Sequence, residues 1–261
     1  MNAPLSYLSE PDTYFLKEEA YTGRHPNFFN PDDFPWVKEL ESKYEIIINE
    51  IAGLIYGKEE MPPNLNPPYL SSPDAWRNFY FMNFRWFNHT NCKKYPNTFS
   101  ILQSVPNISF AGITVLEPHS KVLPHIGETN ATIRCHYALK IPGNYLDCGI
   151  RVNGEDRGYT PGKVVMFSDA HFHTTWNNTN ERRFVIVFDV VQNQFAHKAN
   201  WVCACSLSAL TIKYIDERIK IIKPLPAFLL SALHLTFSVA WFLFLPLQKQ
   251  FKWFYRPKKG G

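Results

Sequence analysis

Between Trp76 and Val191 short apolar runs alternate with turn signals: FYFMNF, AGITVLEP, ATIRCHYALKIPGN, CGIRVNGEDRGYTPGKVVMFSD and RRFVIVFDVV. Asn153-Gly154 is a hairpin dipeptide, and Pro142-Gly143-Asn144 marks a second turn. Short strands separated by a turn every dozen residues or so predict a β-sandwich or jelly roll. The aromatic content of 16%, with 21 Phe, 13 Tyr and 7 Trp, suits pleated surfaces better than a helical bundle.

The flanks read differently. Residues 36–57 carry Trp36, Leu40, Tyr44, Ile47, Ile48, Ile51 and Leu54 at helical spacing, which predicts a helix capped by Gly57. Residues 1–35 and 58–75 are loop-like and rich in Pro. The expected organisation is an N-terminal extension over 1–75 packing on a β-barrel over 76–195, then a basic helix and apolar tail over 196–261.

That tail holds no charged residue from Pro224 to Leu247. Its stretch Ala227–Leu245 would be about 28 Å long as a helix, against a hydrocarbon core of ~30 Å. Arg218, Lys220 and Lys223 precede it; Lys249, Lys252, Arg256, Lys258 and Lys259 follow, with Trp253 and Tyr255 as interfacial anchors. A single-pass or interfacial membrane anchor through residues 224–247 is expected, with a buried core helix as the alternative. Charge at both ends leaves orientation open.

Residues 213–261 hold nine Lys and Arg against two acids, and residues 1–212 hold eighteen against twenty-one. The slightly acidic body excludes a nucleic-acid partner by charge. The start, MNAPLSYLSEPDTYF, has neither a basic segment nor an apolar run, so no cleaved signal is expected. Five cysteines, an odd number thinly spread, predict a reduced, cytosol-facing catalytic domain. Cys203-Ala-Cys205 lacks the second close pair that a structural metal site needs.

Five of the nine histidines fall within 119–173, and imidazole is the usual nitrogen ligand for Fe(II) and Zn. Leu123-Pro124-His125-Ile126-Gly127 and Ser168-Asp169-Ala170-His171-Phe172-His173 lie on strand-like stretches that a barrel can bring to one cavity. Arg183 follows on the next strand, where an inward-facing cation is costly unless it meets an anion. Arg182 reads as a strand-edge charge.

These residues carry a resemblance. PHIGETNATIRCHYALKIP resembles the P-H-x-G-x-T-N-x-x-x-R-x-H-L-x-L-x-x-P run of the aspartyl/asparaginyl β-hydroxylases, Fe(II)- and 2-oxoglutarate-dependent oxygenases. VNGEDRGYTPGKVVMFSDAHFHTTWN resembles their hairpin and second-histidine segment, and RFVIVFDV their closing strand. FSILQSVPN is similar to the membrane-bound branch that hydroxylates lipid A acyl chains. The resemblance implies a mostly β, cupin-like double-stranded β-helix (jelly roll) that uses Fe(II), 2-oxoglutarate and O2. It implies His125 and His173 as catalytic iron ligands. His171, one strand repeat before His173, could point the same way and is the reserve ligand. Arg183 would meet the distal carboxylate of 2-oxoglutarate, helped by Thr114. Arg134 and His136 would contact the cosubstrate near the metal, and Trp76 would line its pocket.

Gly127 stands where a carboxylate would complete a two-His-one-carboxylate triad. The aspartyl hydroxylases share this Gly, whereas the lipid branch tends to keep an acid. Asp169 and Glu128 could orient the ligands or lie on the surface. An open position also admits halide, which makes halogenation a remote alternative. Hydroxylation of an unactivated carbon in a peptide, an amino acid or a lipid is the expected activity. A catalytically inactive membrane-anchored binding module and a Zn-dependent hydrolase are the competing classes. The hydrolase needs a third protein ligand and gives Arg183 no task.

Overall fold

The computed structural model describes residues 14–16, 20–57, 61–62, 71–72, 75–220, 222 and 225–248. Eleven strands form two antiparallel sheets. The larger sheet has the order β1 (Phe28–Phe29), β9 (Val164–Phe167), β6 (Thr132–Lys140), β11 (Arg183–Val191), β4 (Ile108–Leu116), β2 (Trp76–Asn83), β3 (Trp86–Phe87). The smaller has the order β5 (Ser120–His125), β10 (His173–Asn177), β7 (Cys148–Val152), β8 (Glu155–Gly158). From β4 onward the chain passes back and forth between the sheets, with only β7 and β8 consecutive in one of them, as in a double-stranded β-helix. The N-terminal stretch is more than an extension, because β1 supplies an edge strand beside β9.

Burial explains why the central strands read as unbroken apolar runs. Every residue of β11 is buried, because both faces of the larger sheet are covered. Its outer face packs under α1 (Pro35–Glu41), α2 (Tyr44–Glu50) and α3 (Ala52–Tyr56), with Val37, Leu40, Ile47 and Ile51 meeting Phe81, Tyr137 and Ile186. Its inner face looks across the cavity to the smaller sheet. One end is closed by Phe28, Ala138, Ile150, Val152 and Phe167, drawn from both sheets.

The single helix expected over 36–57 is three short ones. Ser42 ends the first by donating its hydroxyl to the Glu39 carbonyl at 2.6 Å, a local bond that competes with helix propagation. The breaks let one apolar series curve over the sheet. Gly57 does cap the third helix, but in an extended conformation (φ −92°) rather than the left-handed one. Two helices that the strand pattern did not suggest, α4 (His89–Lys94) and α5 (Pro96–Gln103), sit between β3 and β4. Asn88 caps α4 by accepting from the Asn91 N–H at 3.1 Å.

The C-terminal region is a helical pair, α6 (Ala199–Ile219) and α7 (Ala227–Leu247). α6 packs on the barrel through Ala199 and Val202, which meet Ala131, Val191 and Phe195. One stripe of α7 packs on α6. His234 Nε2 bonds the Cys205 carbonyl at 3.1 Å, Ser208 donates to the His234 carbonyl at 2.8 Å, and Trp241 Nε1 donates to Thr211 at 3.0 Å. The outer face stays apolar and bare, with Phe228 70% and Leu243 62% exposed. α7 is therefore neither the buried core helix nor a detached anchor. Pro224 and the basic and aromatic residues after Gln248 lie outside the described residues. All five cysteines are buried thiols outside any disulfide. Cys203 and Cys205 lie two apart on a helix and face different sides, so they cannot share a metal.

The hairpin dipeptide behaves as its sequence requires. Val152 pairs with Glu155, leaving Asn153 (φ 46°) and Gly154 (φ +86°) as a two-residue turn with both residues left-handed. Gly154→Ala meets no neighbour but must adopt a positive φ. It should cost about 1 kcal/mol, read as a lower urea midpoint at unchanged m-value. An unchanged midpoint would mean that the turn does not hold this backbone.

Candidate active site

The inner faces of the two sheets enclose a cavity of about 490 Å³. Its wall includes all seven residues expected at the site: Trp76, Thr114, His125, Arg134, His136, His173 and Arg183. Strand register accounts for the convergence. His125 ends β5 and His173 opens β10, and the two are cross-strand partners whose rings lie 4.2 Å apart, centroid to centroid. Thr114, Val187 and His136 come from the paired strands β4, β11 and β6 of the opposite sheet.

Both histidines are oriented by their own backbone. His125 Nδ1 lies 2.8 Å from the Leu123 carbonyl, and His173 Nδ1 lies 2.9 Å from that of His171. A carbonyl only accepts, so each Nδ1 carries the proton and each Nε2 carries a lone pair, the tautomer that a metal ligand needs. Burial lowers the His125 pKa to about 4, helped by the Arg134 charge. Burial also pushes His173 well below the ordinary histidine range, with His125 and Arg134 adding to the effect. The pair is neutral at pH 7. His171, the reserve ligand, lies outside the cavity. Its Nε2 bonds the His25 carbonyl at 2.9 Å, and its ring packs edge-on against Tyr21. It sits in the loop before β10, where a strand's two-residue periodicity does not apply.

Asp169 occupies the place that a triad carboxylate would take. A Cβ on Gly127 would overlap its carboxylate, so residue 127 can only be Gly with Asp169 where it is. Asp169 Oδ1 lies 3.4 Å from His173 Nε2 and 2.7 Å from an Arg134 Nη1. That ionic contact is close, but Oδ1 still receives no hydrogen bond of proper geometry. Burial raises the Asp169 pKa, and Asp189 reinforces the shift against the opposing pull of Arg134.

Arg134 is committed elsewhere. Its Nε and Nη2 grip both oxygens of Asp189 at 2.8 and 2.9 Å, and its Nη1 faces Asp169. The Asp189–Arg134 pair sits directly across β11 and β6. Arg134 thus lines the cavity as the cation that holds Asp169. Glu128 pairs with Lys213 of α6 at 3.3 Å.

Arg183 is the opposite case. It is 2% exposed, and among the described residues no carboxylate pairs with it. Its Nη1 lies 3.4 Å from the Tyr159 hydroxyl, its guanidinium lies 5.4 Å from that ring, and its Nε has no acceptor. Tyr159 also meets His136 Nδ1 at 2.8 Å. Burial and the Arg183 charge hold His136 well below the usual histidine range. Trp76 Nε1 is likewise buried without an acceptor, and Thr114 bonds the Val185 carbonyl at 3.4 Å. Arg182 pairs with Glu117 at 2.9 Å and stays 40% exposed, the strand-edge charge expected of it.

These features fit the expected cofactors. Two Nε2 lone pairs and an acceptor at Asp169 suit a metal carrying water, and unaccepted donors at Arg183 and Trp76 suit an anion. Among the described residues no three His, Cys, Asp or Glu side chains converge as a full ligand set, so the protein offers two histidines. Sequence reading missed Tyr159 and Asp189. An acid inside the wholly apolar run of β11 was a usable signal for Asp189, whereas nothing marked Tyr159.

The family of aspartyl/asparaginyl beta-hydroxylases matches residues 41–193. The ornithine lipid ester-linked acyl 2-hydroxylase of Rhizobium tropici is 28% identical over 183 residues, covering 68% of this chain and 65% of that protein. The aspartate beta-hydroxylase domain-containing protein 2 of Xenopus tropicalis is 29% identical over 177 residues, covering 65% and 46%. The human aspartyl/asparaginyl beta-hydroxylase is 27% identical over 161 residues, covering 59% and 21%. The chain spans less than two-thirds of the length of each. A cupin barrel protein from Salinispora arenicola aligns with 54% of this chain and 97% of its own at 13% identity and a TM-score of 0.32, which adds nothing to the topology above. With well over half its length inside the family's match, this chain belongs to the aspartyl/asparaginyl β-hydroxylase family.

Proposed function

We propose that this protein is an Fe(II)- and 2-oxoglutarate-dependent hydroxylase of an unactivated carbon. The observation that carries the reading is Arg183, a buried cation with no acid of its own among the described residues. An uncompensated buried charge costs several kcal/mol, and a carboxylate from a ligand removes that cost. A guanidinium forks onto a carboxylate with two parallel bonds. With Thr114 and Trp76 on the same wall, it would hold the far end of a dicarboxylate. His125 and His173 would hold the metal, and Asp169, steadied by Arg134, would present an acceptor beside them. Bound together, iron and 2-oxoglutarate supply the O2-dependent oxidation of a C–H bond.

The chain's own residues orient and exclude. The Leu123 and His171 carbonyls fix the two imidazoles. Asp189 holds Arg134, and Arg134 holds Asp169. His136, kept neutral, and Tyr159 form a hydrogen-bonded wall beside Arg183. An inactive binding module would have no reason to keep Arg183 unpaired or Asp169 in place of a side chain at 127. A Zn-dependent hydrolase would lack its third protein ligand. The curated relatives are named for lipid acyl chains and for aspartyl or asparaginyl residues, and both classes contain an unactivated carbon.

Arg183→Ala should raise the KM for 2-oxoglutarate by about two orders of magnitude, since losing one partner of a buried charged pair typically costs ~2–5 kcal/mol. Arg182→Ala should change it little. Equal small effects from both would remove the carboxylate role. His125→Ala and His173→Ala should each abolish Fe(II)-dependent conversion of 2-oxoglutarate to succinate, with His171→Ala keeping most of it. Full activity in His173→Ala with loss in His171→Ala would reverse the ligand assignment.

A further inference from the structure

Among the described residues nothing packs on the outer face of α7, and the cavity has a side that is not barrel. Leu210, Lys213, Tyr214 and Glu217 of α6 line the cavity. At spacings of three, four and seven they form one stripe of the helix. Ser208 and Thr211, which bond α7, lie on the adjoining stripe, at about 100° per residue. The cavity's α6 side and α7 are therefore neighbours, and Tyr214 is 55% exposed between them.

α7 is long enough to cross a bilayer, at a mean hydropathy of 2.0. Its attachment argues against crossing alone. Leu230 packs with Ile212 and Ile222, Leu245 packs with Cys203 and Leu207, and Gln248 bonds the Arg85 carbonyl at 2.6 Å. Spanning would drag α6, with Lys213, Asp216, Glu217 and Arg218, into hydrocarbon, where each charge costs at least ~2.5 kcal/mol. A helix that is polar on one side and apolar on the other lies in the interface; here the protein itself takes the place of the polar side. The sequence around α7 is strongly basic while the body is slightly acidic. That polarity complements an anionic lipid surface.

The cavity's charges also choose among substrates. Its basic residues are Arg134, Arg183 and Lys213, besides the histidines. Arg134 is held by Asp189 and Asp169, Lys213 is held by Glu128, and Arg183 is assigned to the cosubstrate. Among the described residues that line the cavity, no cation is left for the carboxylate of an aspartyl side chain. Phe84, Phe110 and Ile126 offer an apolar wall instead. Gly127 does not argue against a lipid, because Asp169 already fills its place.

We propose that the outer face of α7 seats this enzyme in the plane of an anionic bilayer, with the α6 side of the cavity opening onto it. The substrate is then an acyl chain taken from a membrane lipid. The substrate assignment rests on the hydroxylase reading above; the seating does not. The test uses the full chain with vesicles of phosphatidylethanolamine and phosphatidylglycerol. Wild type should float with them, less so as salt rises, while Phe228→Glu/Leu235→Glu/Leu243→Glu should stay unbound and still show the thermal shift induced by metal and 2-oxoglutarate. With every native cysteine buried, Leu243→Cys, Tyr214→Cys and Leu146→Cys can be labelled selectively with an environment-sensitive fluorophore. The first two should shift to the blue on lipid, and the third should not. Vesicles should raise succinate formation several-fold.

Flotation of the triple variant, a C-terminal tag sealed inside vesicles, or a lipid-free dimer that buries the Leu243 label would overturn the seating. An unshifted Tyr214 label, or succinate formation that responds to an aspartyl peptide and not to vesicles, would overturn the substrate. Absence of any 2-oxoglutarate binding in wild type would sink the hydroxylase reading, and with it the substrate, while flotation still decides the seating.

Discussion

A guanidinium is a permanent cation, and a fold that buries one without a carboxylate carries a cost that something else must offset. Arg183 opens β11, the strand at the heart of the larger sheet, and among the described residues the Tyr159 hydroxyl and ring attend it. Nothing in the packing demands Arg at this position; an apolar side chain would bury there more cheaply. The cavity is built around that cost. Neutral His136 and Tyr159 attend the cation without cancelling it, the indole of Trp76 lines the same cavity, and the paired strands bring the His125 and His173 imidazoles to that chamber. The arrangement favours a ligand with an anionic end and a second end that reaches the histidines.

Arg134 shows how differently a buried arginine behaves when the protein supplies its acids. Burial would lower its pKa, but Asp169 and Asp189 outweigh that and keep it charged. Its task is mechanical. The fork onto Asp189 is fixed by the β11–β6 register, which leaves one nitrogen aimed at Asp169. Asp169 then fills the space that a residue-127 side chain would need. An acid from the loop before His173 thus fills the space beside residue 127, and Gly127 makes room for it.

Much of this was legible from residues alone, and the reasons differ by element. The strands of the barrel announced themselves because strand register, turn chemistry and burial agree, as at Asn153-Gly154. The motif singles out His125 and His173, which the fold pairs across two strands, but not their tautomer, because it depends on two carbonyls that only the fold brings near. The helix over 36–57 was drawn too straight, since apolar spacing does not reveal that Ser42 will turn its hydroxyl back onto the chain. α4 and α5 were missed because short helices without a strong apolar period look like loops. Arg134 was expected at the cosubstrate, because sequence cannot show that Asp189 lies across the ladder. The tail was readable as apolar but not as half-packed, for hydropathy does not distinguish a stripe that meets a protein from one that meets solvent or lipid.

The most direct measurement compares two ligands for the Arg183 end of the cavity. 2-Oxopentanoate matches 2-oxoglutarate in chain length and in its oxo acid end, but has a methyl group where the distal carboxylate would be. Calorimetric titration of the full-length, metal-loaded protein should show 2-oxoglutarate binding tighter by about a hundredfold, the equivalent of ~2.7 kcal/mol. Equal affinity for the two would mean that Arg183 meets no carboxylate, and the cavity would need another explanation.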